Sequence, residues 1–317
     1  MTVDRENTDF EDATAAISAV AANVERVILG KHDEVRLALI PLMTGGHLLL
    51  QDVPGVGKST LAHAIGQSVG AVFHRIQFTS DLLPADILGA SIYEIASGEF
   101  HFRPGPIFAN VVMADEINRA SPKTQSALLE AMNDHRVSID GKTTDLPDPF
   151  FVIATQNPIE FTGTYPLPES ELDRFQMCVG LGYPDVDAER AILTTHSVRQ
   201  HLVDIPAVAT LKDVVAVQEA VDRVTVSPAV LDYVVAFVRA TRTDPLFEIG
   251  VSPRCSIDLL KTARAWALLQ GRRYVVPDDV KKMAAYVVPH RIVRRGGHKG
   301  ASAADIEQVF ERVPAPV

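Results

Sequence analysis

Along the first half of the chain, short unbroken apolar runs alternate with segments of helical period. Leu48-Leu49-Leu50 (behind His47), Val111-Val112-Met113-Ala114 and Phe150 to Ala154 are such runs, the pattern of strands buried on both faces. Val72 to Phe78 also reads as a strand. Ser59 to Val69 carries Leu61, Ile65 and Val69 at i, i+4 and i+8, which predicts a helix. Ser121 to Asn133 predicts another, with Ser121 as N-cap and Pro122 in its first position. Strand and helix in alternation are the layout of an α/β fold with a parallel sheet. Two excursions interrupt it. Thr79 to Phe108 holds Pro84, Gly89, Gly98, Pro104, Gly105 and Pro106 and reads as long and broken. Arg136 to Pro149 reads as a hairpin turning at Asp140-Gly141. Long excursions in compact domains are usually functional or mobile.

After Gly182-Tyr183-Pro184-Asp185 the pattern becomes helical, over Val214 to Val221, Ala229 to Thr241, Ile257 to Gln270 and Pro277 to Val288. Ser227-Pro228, Ser256 and Pro277-Asp278-Asp279 supply starts. A domain boundary is therefore expected near Pro184, dividing residues 1–184 from 185–317, and a length of 317 residues suits two domains. Composition narrows the class only a little. The hydrophobic fraction is 47% and the charged fraction 22%, ordinary for a globular protein. No stretch reaches the ~20 apolar residues that span a bilayer, so no membrane insertion is expected. The polar, acidic start lacks the pattern of a secretory signal, which points to the cytoplasm. Cys178 and Cys255 are expected to be buried thiols. A net charge of −10 argues against broad nucleic-acid binding, which needs a basic face.

Asp52-Val53-Pro54-Gly55-Val56-Gly57-Lys58-Ser59 matches the phosphate-binding pattern G-x-x-x-x-G-K-[ST] at every fixed position but the first, where Asp52 stands for glycine. Gly55 and Gly57 free the backbone to turn N–H groups around phosphate oxygens. The helix that follows points its positive end at the same anion. Lys58 would reach the β- and γ-phosphates and the Ser59 hydroxyl would ligate Mg²⁺. The competing reading is a strand–turn–helix corner with chance glycines.

Asp115 and Glu116 end the second apolar run, and ligands gather at the carboxyl ends of strands in open α/β sheets. Asp115 would hold the Mg²⁺ shell and Glu116 would deprotonate the attacking water. The alternative, carboxylates capping the next helix, competes with a cap already supplied by Ser121. Asn157, in Ala154-Thr155-Gln156-Asn157-Pro158, ends the third run and could meet the γ-phosphate and the water. An Asn before Pro is otherwise a turn residue.

The text between these motifs is more specific. Phe102-Arg103-Pro104-Gly105-Pro106-Ile107-Phe108-Ala109-Asn110 resembles the MoxR family of AAA+ ATPases. So do Ala114-Asp115-Glu116-Ile117-Asn118-Arg119-Ala120-Ser121-Pro122-Lys123-Thr124-Gln125, Ala154 to Pro158, and Gly163-Thr164-Tyr165-Pro166-Leu167-Pro168-Glu169. The resemblance runs from about Ile28 to about Ile292, and in that family Asp52 is a common substitute for the first loop glycine. It implies an AAA+ αβα core followed by a helical lid, with 79–108 as the helix-2 insert and the 136–149 hairpin preceding sensor 1. ATP and Mg²⁺ would be bound by Val53, Pro54, Gly55, Val56, Gly57, Lys58, Ser59 and Thr60, with Val27 to Gly30 (Ile28, Leu29 and Gly30 among them) against the adenine. Asn157 matches sensor 1, Arg174 the arginine finger and Arg254 sensor 2. It also implies a homo-oligomeric, hexameric ring acting as a chaperone, often beside a protein with a von Willebrand factor A domain. A planar guanidinium suits both arginine positions, because it spreads several donors over the charge of a transferring phosphoryl group. Against this stand a salt bridge of Arg174 with Asp173 or Glu171, and a surface role for Arg254.

Two other functions compete. A DNA-acting motor would need a basic, aromatic-lined groove, and a nucleotide-gated scaffold would have no use for the full set Lys58, Asp115, Glu116, Asn157 and Arg174. His63, His74, His101 and His135 have no metal-ligand spacing. Asp81 and Asp86 are expected to be solvated. The basic cluster Arg291-Ile292-Val293-Arg294-Arg295, with His298 and Lys299, is expected to be a solvated loop.

Overall fold

The apolar runs become the inside of one sheet. In a computed structural model, residues 2–158, 163–195, 205–296 and 300–316 are described; His298 and Lys299 lie outside them. Helices α1 (Thr2–Glu25) and α2 (His32–Thr44) lead into β1 (Leu48–Gln51), α3 (Lys58–Ser68) and β2 (Phe73–Gln77). The first excursion holds α4 (Pro84–Leu88) and a hairpin of β3 (Gly89–Glu94) and β4 (Glu99–Pro104). Then come β5 (Val111–Asp115), α5 (Pro122–Asp134), the hairpin β6 (Arg136–Ile139) and β7 (Lys142–Asp145), β8 (Phe151–Gln156), α6 (Glu169–Leu172) and β9 (Met177–Val179). The remainder is α7 (Val186–Thr195), α8 (Leu211–Arg223), α9 (Pro228–Thr243), β10 (Phe247–Ile249), α10 (Pro253–Leu269), α11 (Pro277–Val287), β11 (Val293–Arg294) and α12 (Ala303–Phe310).

Among the described residues the central sheet is β2-β5-β8-β1-β9, with every pairing parallel. The three unbroken apolar runs are its three inner strands. Their alternate side chains enter different cores. Leu48, Leu50, Val111, Met113, Phe151 and Ile153 join a cluster with α1, α2 and α3. Leu49, Val112, Ala114, Val152 and Ala154 join a second cluster with α5. The first cluster continues into α8, α9, α10 and α11, so one apolar body connects the sheet face to the C-terminal helices.

Several expectations are refined. No helix was expected before His47, yet α1 and α2 cover the first sheet face. The excursion expected to be broken is largely regular: Gly89 (φ +95) and Gly105 let the backbones at the base of the hairpin pass so closely that a Cβ on either would strike the other segment. Ser256 does not start its helix. Ser252 is the N-cap, its hydroxyl accepting from the Cys255 N–H at 3.1 Å, because Pro253 fixes the first turn. The basic cluster is not a solvated loop throughout: Arg291 is buried, since it finds acceptors inside.

His47, just below β1, is buried with Nε2 3.1 Å from the Met132 carbonyl and Nδ1 accepting from the Val152 N–H at 3.1 Å. Desolvation, with help from nearby His135 and Arg254, pushes its pKa down from 6.5 to about 4. The unfolded chain then takes up its proton first, so the stability from neutral His47 is present above pH ~6.5 and is lost as pH falls toward 4. Between pH 7 and pH 4.5 this one group should remove about 2 kcal/mol. In His47→Gln, which keeps a donor and an acceptor but no titration, urea unfolding at the two pH values should show that much less acid destabilisation. An equal loss in both proteins would show that His47 is already charged in the fold.

Candidate functional site

Parallel register fixes where the polar residues emerge. Gln77 pairs with Asp115, Ala114 with Ala154, Leu50 with Thr155 and Gln51 with Gln156, so the inner strands run out of apolar residues at one level. Beyond them the 52–57 loop turns through left-handed Gly55 (φ +87) and Gly57 (φ +98) into the start of α3, a conformation that favours glycine. The result is a cavity of about 320 Å³ lined by Pro54, Gly55, Gly57, Lys58, Ser59, Thr60, Asp115, Glu116, Thr155 and Asn157.

Within it, Lys58 folds its Nζ onto the carbonyls of Asp52 and Val53, the latter at 3.0 Å. Burial lowers its pKa, while Asp52, Asp115 and Glu116 act to raise it. Asp52 Oδ1 accepts from the Val53 N–H at 2.7 Å and Oδ2 from the Gly182 N–H. The residue that departs from the glycine pattern thus ties the loop to the chain leaving β9.

Thr155 holds the acidic pair. Its hydroxyl donates to Asp115 Oδ1 at 2.6 Å and accepts from the Glu116 N–H at 2.8 Å. Asp115 Oδ2 takes the guanidinium of Arg75. Glu116 stands at φ 57° and ψ 51°, uncommon for a residue with a Cβ and a mark of functional sites. Its Oε2 accepts from Gln77 Nε2 at 2.9 Å and lies 3.0 Å from Arg119 Nε. The sequence reading singled out none of Arg75, Gln77, Arg119 or Thr155 as site residues. Thr155 and Arg119 fall within quoted motifs. Arg75 and Gln77 could be found only by knowing that β2 pairs with β5.

Ile28 packs behind the loop, its Cδ1 3.9 Å from where a Cβ on Gly57 would stand. Gly30 (φ +70) abuts Asp185 and Ala188. The 27–30 segment therefore lies between the loop and α7, beside the cavity; Ile28, Leu29 and Gly30 are not among the residues that line it.

The two arginines are elsewhere. Among the described residues Arg174 pairs with neither Asp173 nor Glu171; its Nη1 donates to the Leu129 carbonyl at 2.9 Å, and its buried Nε has no partner. Arg254 is exposed and donates from Nη2 to Asn133 Oδ1 at 2.8 Å. Leu129 and Asn133 are one turn apart on α5, so both guanidinia lie along one helix, outside the cavity. Both cysteines are free, and burial pushes the thiols of Cys178 and Cys255 up to about 12 and about 11.

Comparison with known proteins shows the family. The family described as "ATPase family associated with various cellular activities (AAA)" matches residues 47–177, and the AAA lid domain matches 239–312. The uncharacterised protein YeaC of Bacillus subtilis is 46% identical, over 97% of each chain. Chaperone MoxR1 of Mycobacterium tuberculosis is 42% identical, over 85% of this chain and 74% of its own. A solved structure from Cytophaga hutchinsonii with a provisional ATPase designation superposes with a TM-score of 0.91 at 35% identity, over the whole of both chains. With its parallel five-stranded sheet and helical lid, this chain belongs to the MoxR family of AAA+ ATPases.

Proposed function

We propose that the chain hydrolyses ATP with Mg²⁺ in the loop-side cavity, and that this drives chaperone-like remodelling or maturation of partner proteins by a homo-oligomeric, hexameric ring in the cytoplasm. One observation carries the reading: Lys58, Ser59, Asp115, Glu116 and Asn157 line one cavity, while Arg174 and Arg254 lie outside it, against α5. Residues 1–184 would be the nucleotide-binding core and 185–317 the lid. The name of the mycobacterial relative supports a chaperone role. A partner with a von Willebrand factor A domain rests on the family resemblance.

The loop N–H groups and the start of α3 bind the phosphates. Lys58 exchanges its loop carbonyls for the β- and γ-phosphates. Glu116, aimed by Gln77 and Arg119, takes the proton of the attacking water, and Asn157 orients that water. Ser59 and Asp115 both line the cavity with oxygen donors of the kind Mg²⁺ prefers. They fit the ion, provided Asp115 Oδ2 gives up the half-exposed Arg75. When bound, Mg²⁺ neutralises charge on the β- and γ-phosphate oxygens.

Lys58→Ala should lose measurable ATP binding by calorimetry, since the phosphates lose their fixed cation. Unchanged affinity would move the site away from the loop. Glu116→Gln should bind ATP as the parent does yet turn over about 10²–10⁴-fold more slowly; full turnover would place the base elsewhere.

Arg174→Ala should bind ATP normally and lose about 10³–10⁵ in kcat, as expected of an arginine finger. Its partner phosphate would belong to a neighbouring subunit, so mixing it with Lys58→Ala should restore activity at interfaces where each supplies what the other lacks. Mixed oligomers that stay inactive would exclude a trans role.

A further inference from the structure

The buried member of the basic cluster links the two arginines. Arg291 follows α11, and its side chain is 1% exposed. Its Nε and Nη2 donate to the Phe175 carbonyl at 3.1 and 2.6 Å. Its Nη1 donates to Asp258 Oδ2 at 2.8 Å and lies 3.6 Å from Asp173 Oδ1. Asp173 and Phe175 are the two neighbours of Arg174. Asp258 sits one helical turn after Arg254 on α10. One guanidinium therefore holds the backbone carbonyl on one side of Arg174, lies beside the Asp173 carboxylate on the other, and holds the helix that carries Arg254.

The chemistry says what such a grip is for. Taking a guanidinium out of water costs several kcal/mol, and an apolar side chain of similar volume is often the more stable filling. A buried arginine with directed partners instead fixes geometry. Its planar fork can satisfy a carbonyl and a carboxylate at once, which a lysine ammonium cannot do with the same rigidity. Among the described residues neither Arg174 nor Arg254 has a strong anchor of its own: each makes one hydrogen bond there, to Leu129 O and to Asn133 Oδ1. Arg291 connects the segments that carry them.

We infer that Arg291 is a positioning residue, locking the Arg174 segment to the Arg254 helix so that both arginines meet a neighbouring subunit's nucleotide as one rigid unit. This rests on the trans reading of Arg174 proposed above. It assigns the core–lid junction a part in hydrolysis, although Arg291 touches no phosphate.

The test uses the full chain and ATP. Arg291→Met should keep ATP affinity within about twofold by calorimetry and lose about 10²-fold in kcat, the cost of a small misplacement of a reacting group. Arg291→Lys should recover part of that loss. In mixtures, Arg291→Met with Lys58→Ala should regain activity as fully as Arg174→Ala with Lys58→Ala, because Arg291→Met keeps a sound phosphate loop. Arg291→Met with Arg174→Ala should regain none, since both are defective on the same side. If the Arg174→Ala pair is rescued and the Arg291→Met pair is not, Arg291 does not act through the finger. Rescue of Arg291→Met by Arg174→Ala, or loss of ATP affinity with kcat, would also overturn it. If the Arg174→Ala pair fails too, the trans reading is at fault, and this inference falls with it. Should Arg291→Met not fold, Asp258→Asn loosens the Arg254 helix while Arg291 keeps the Phe175 carbonyl. It should lower kcat with ATP affinity kept and follow the same mixing pattern; parental kcat in Asp258→Asn overturns the proposal.

Discussion

The parallel register of β5, β8 and β1 is the constraint on which the candidate site depends. These strands are buried on both faces, so an unpaired polar side chain within them would cost several kcal/mol. Polar groups therefore collect where the strands end. Register brings those ends to one level, at Thr155 beside Leu50 and at Asp115 beside Gln77. Thr155 then does locally what register does globally: one hydroxyl engages both Asp115 and the Glu116 backbone. The left-handed backbone at Glu116 is tolerated because its N–H and its carboxylate are both held.

The opposite side of the sheet handles polarity differently. There the buried groups are kept where directed partners exist and serve geometry. His47 stays neutral, spanning the Met132 carbonyl and the Val152 N–H. Arg291 stays charged, balanced by Asp258 and Asp173. Gln176 joins the same junction, accepting from the Thr44 hydroxyl and donating to Asp258 Oδ1 at 3.4 Å. The sheet thus separates the edge that opens on the cavity, where the polar groups line open space, from a lid-facing edge whose groups are held by directed partners.

Much of the core was legible because its signals are local. Three apolar runs, a glycine loop and two Ser-Pro caps at Ser121 and Ser227 need no knowledge of distant residues, and they name most of the cavity lining. What escaped was non-local. Gln77 and Arg75 matter through the β2–β5 pairing, and strand order cannot be read from a run of residues. Arg291 looked solvated because its acceptors, Phe175 O and Asp258, lie far away in sequence. Ser256 reads as a cap because its hydroxyl precedes the apolar period at Ile257, whereas the helix begins a turn earlier, at Pro253 under the Ser252 cap.

Asp52 shows how a departure from a pattern can be a connection. Glycine at that position would offer no acceptor, leaving the N–H groups of Val53 and Gly182 without the carboxylate that now takes both. Hydrogen bonds to a charged group are worth about 1.5–3 kcal/mol each when well made. Their loss would free the loop from the chain leaving β9, the stretch that leads into α7 and the helical region. Under the proposed function, a carboxylate beside the loop has an electrostatic cost, since it would repel the phosphates. Here that cost is offset locally: Asp52 is foremost among the groups that favour the charged form of Lys58 against its burial. The same side chain that fixes the loop to its neighbour works against the desolvation that lowers the Lys58 pKa.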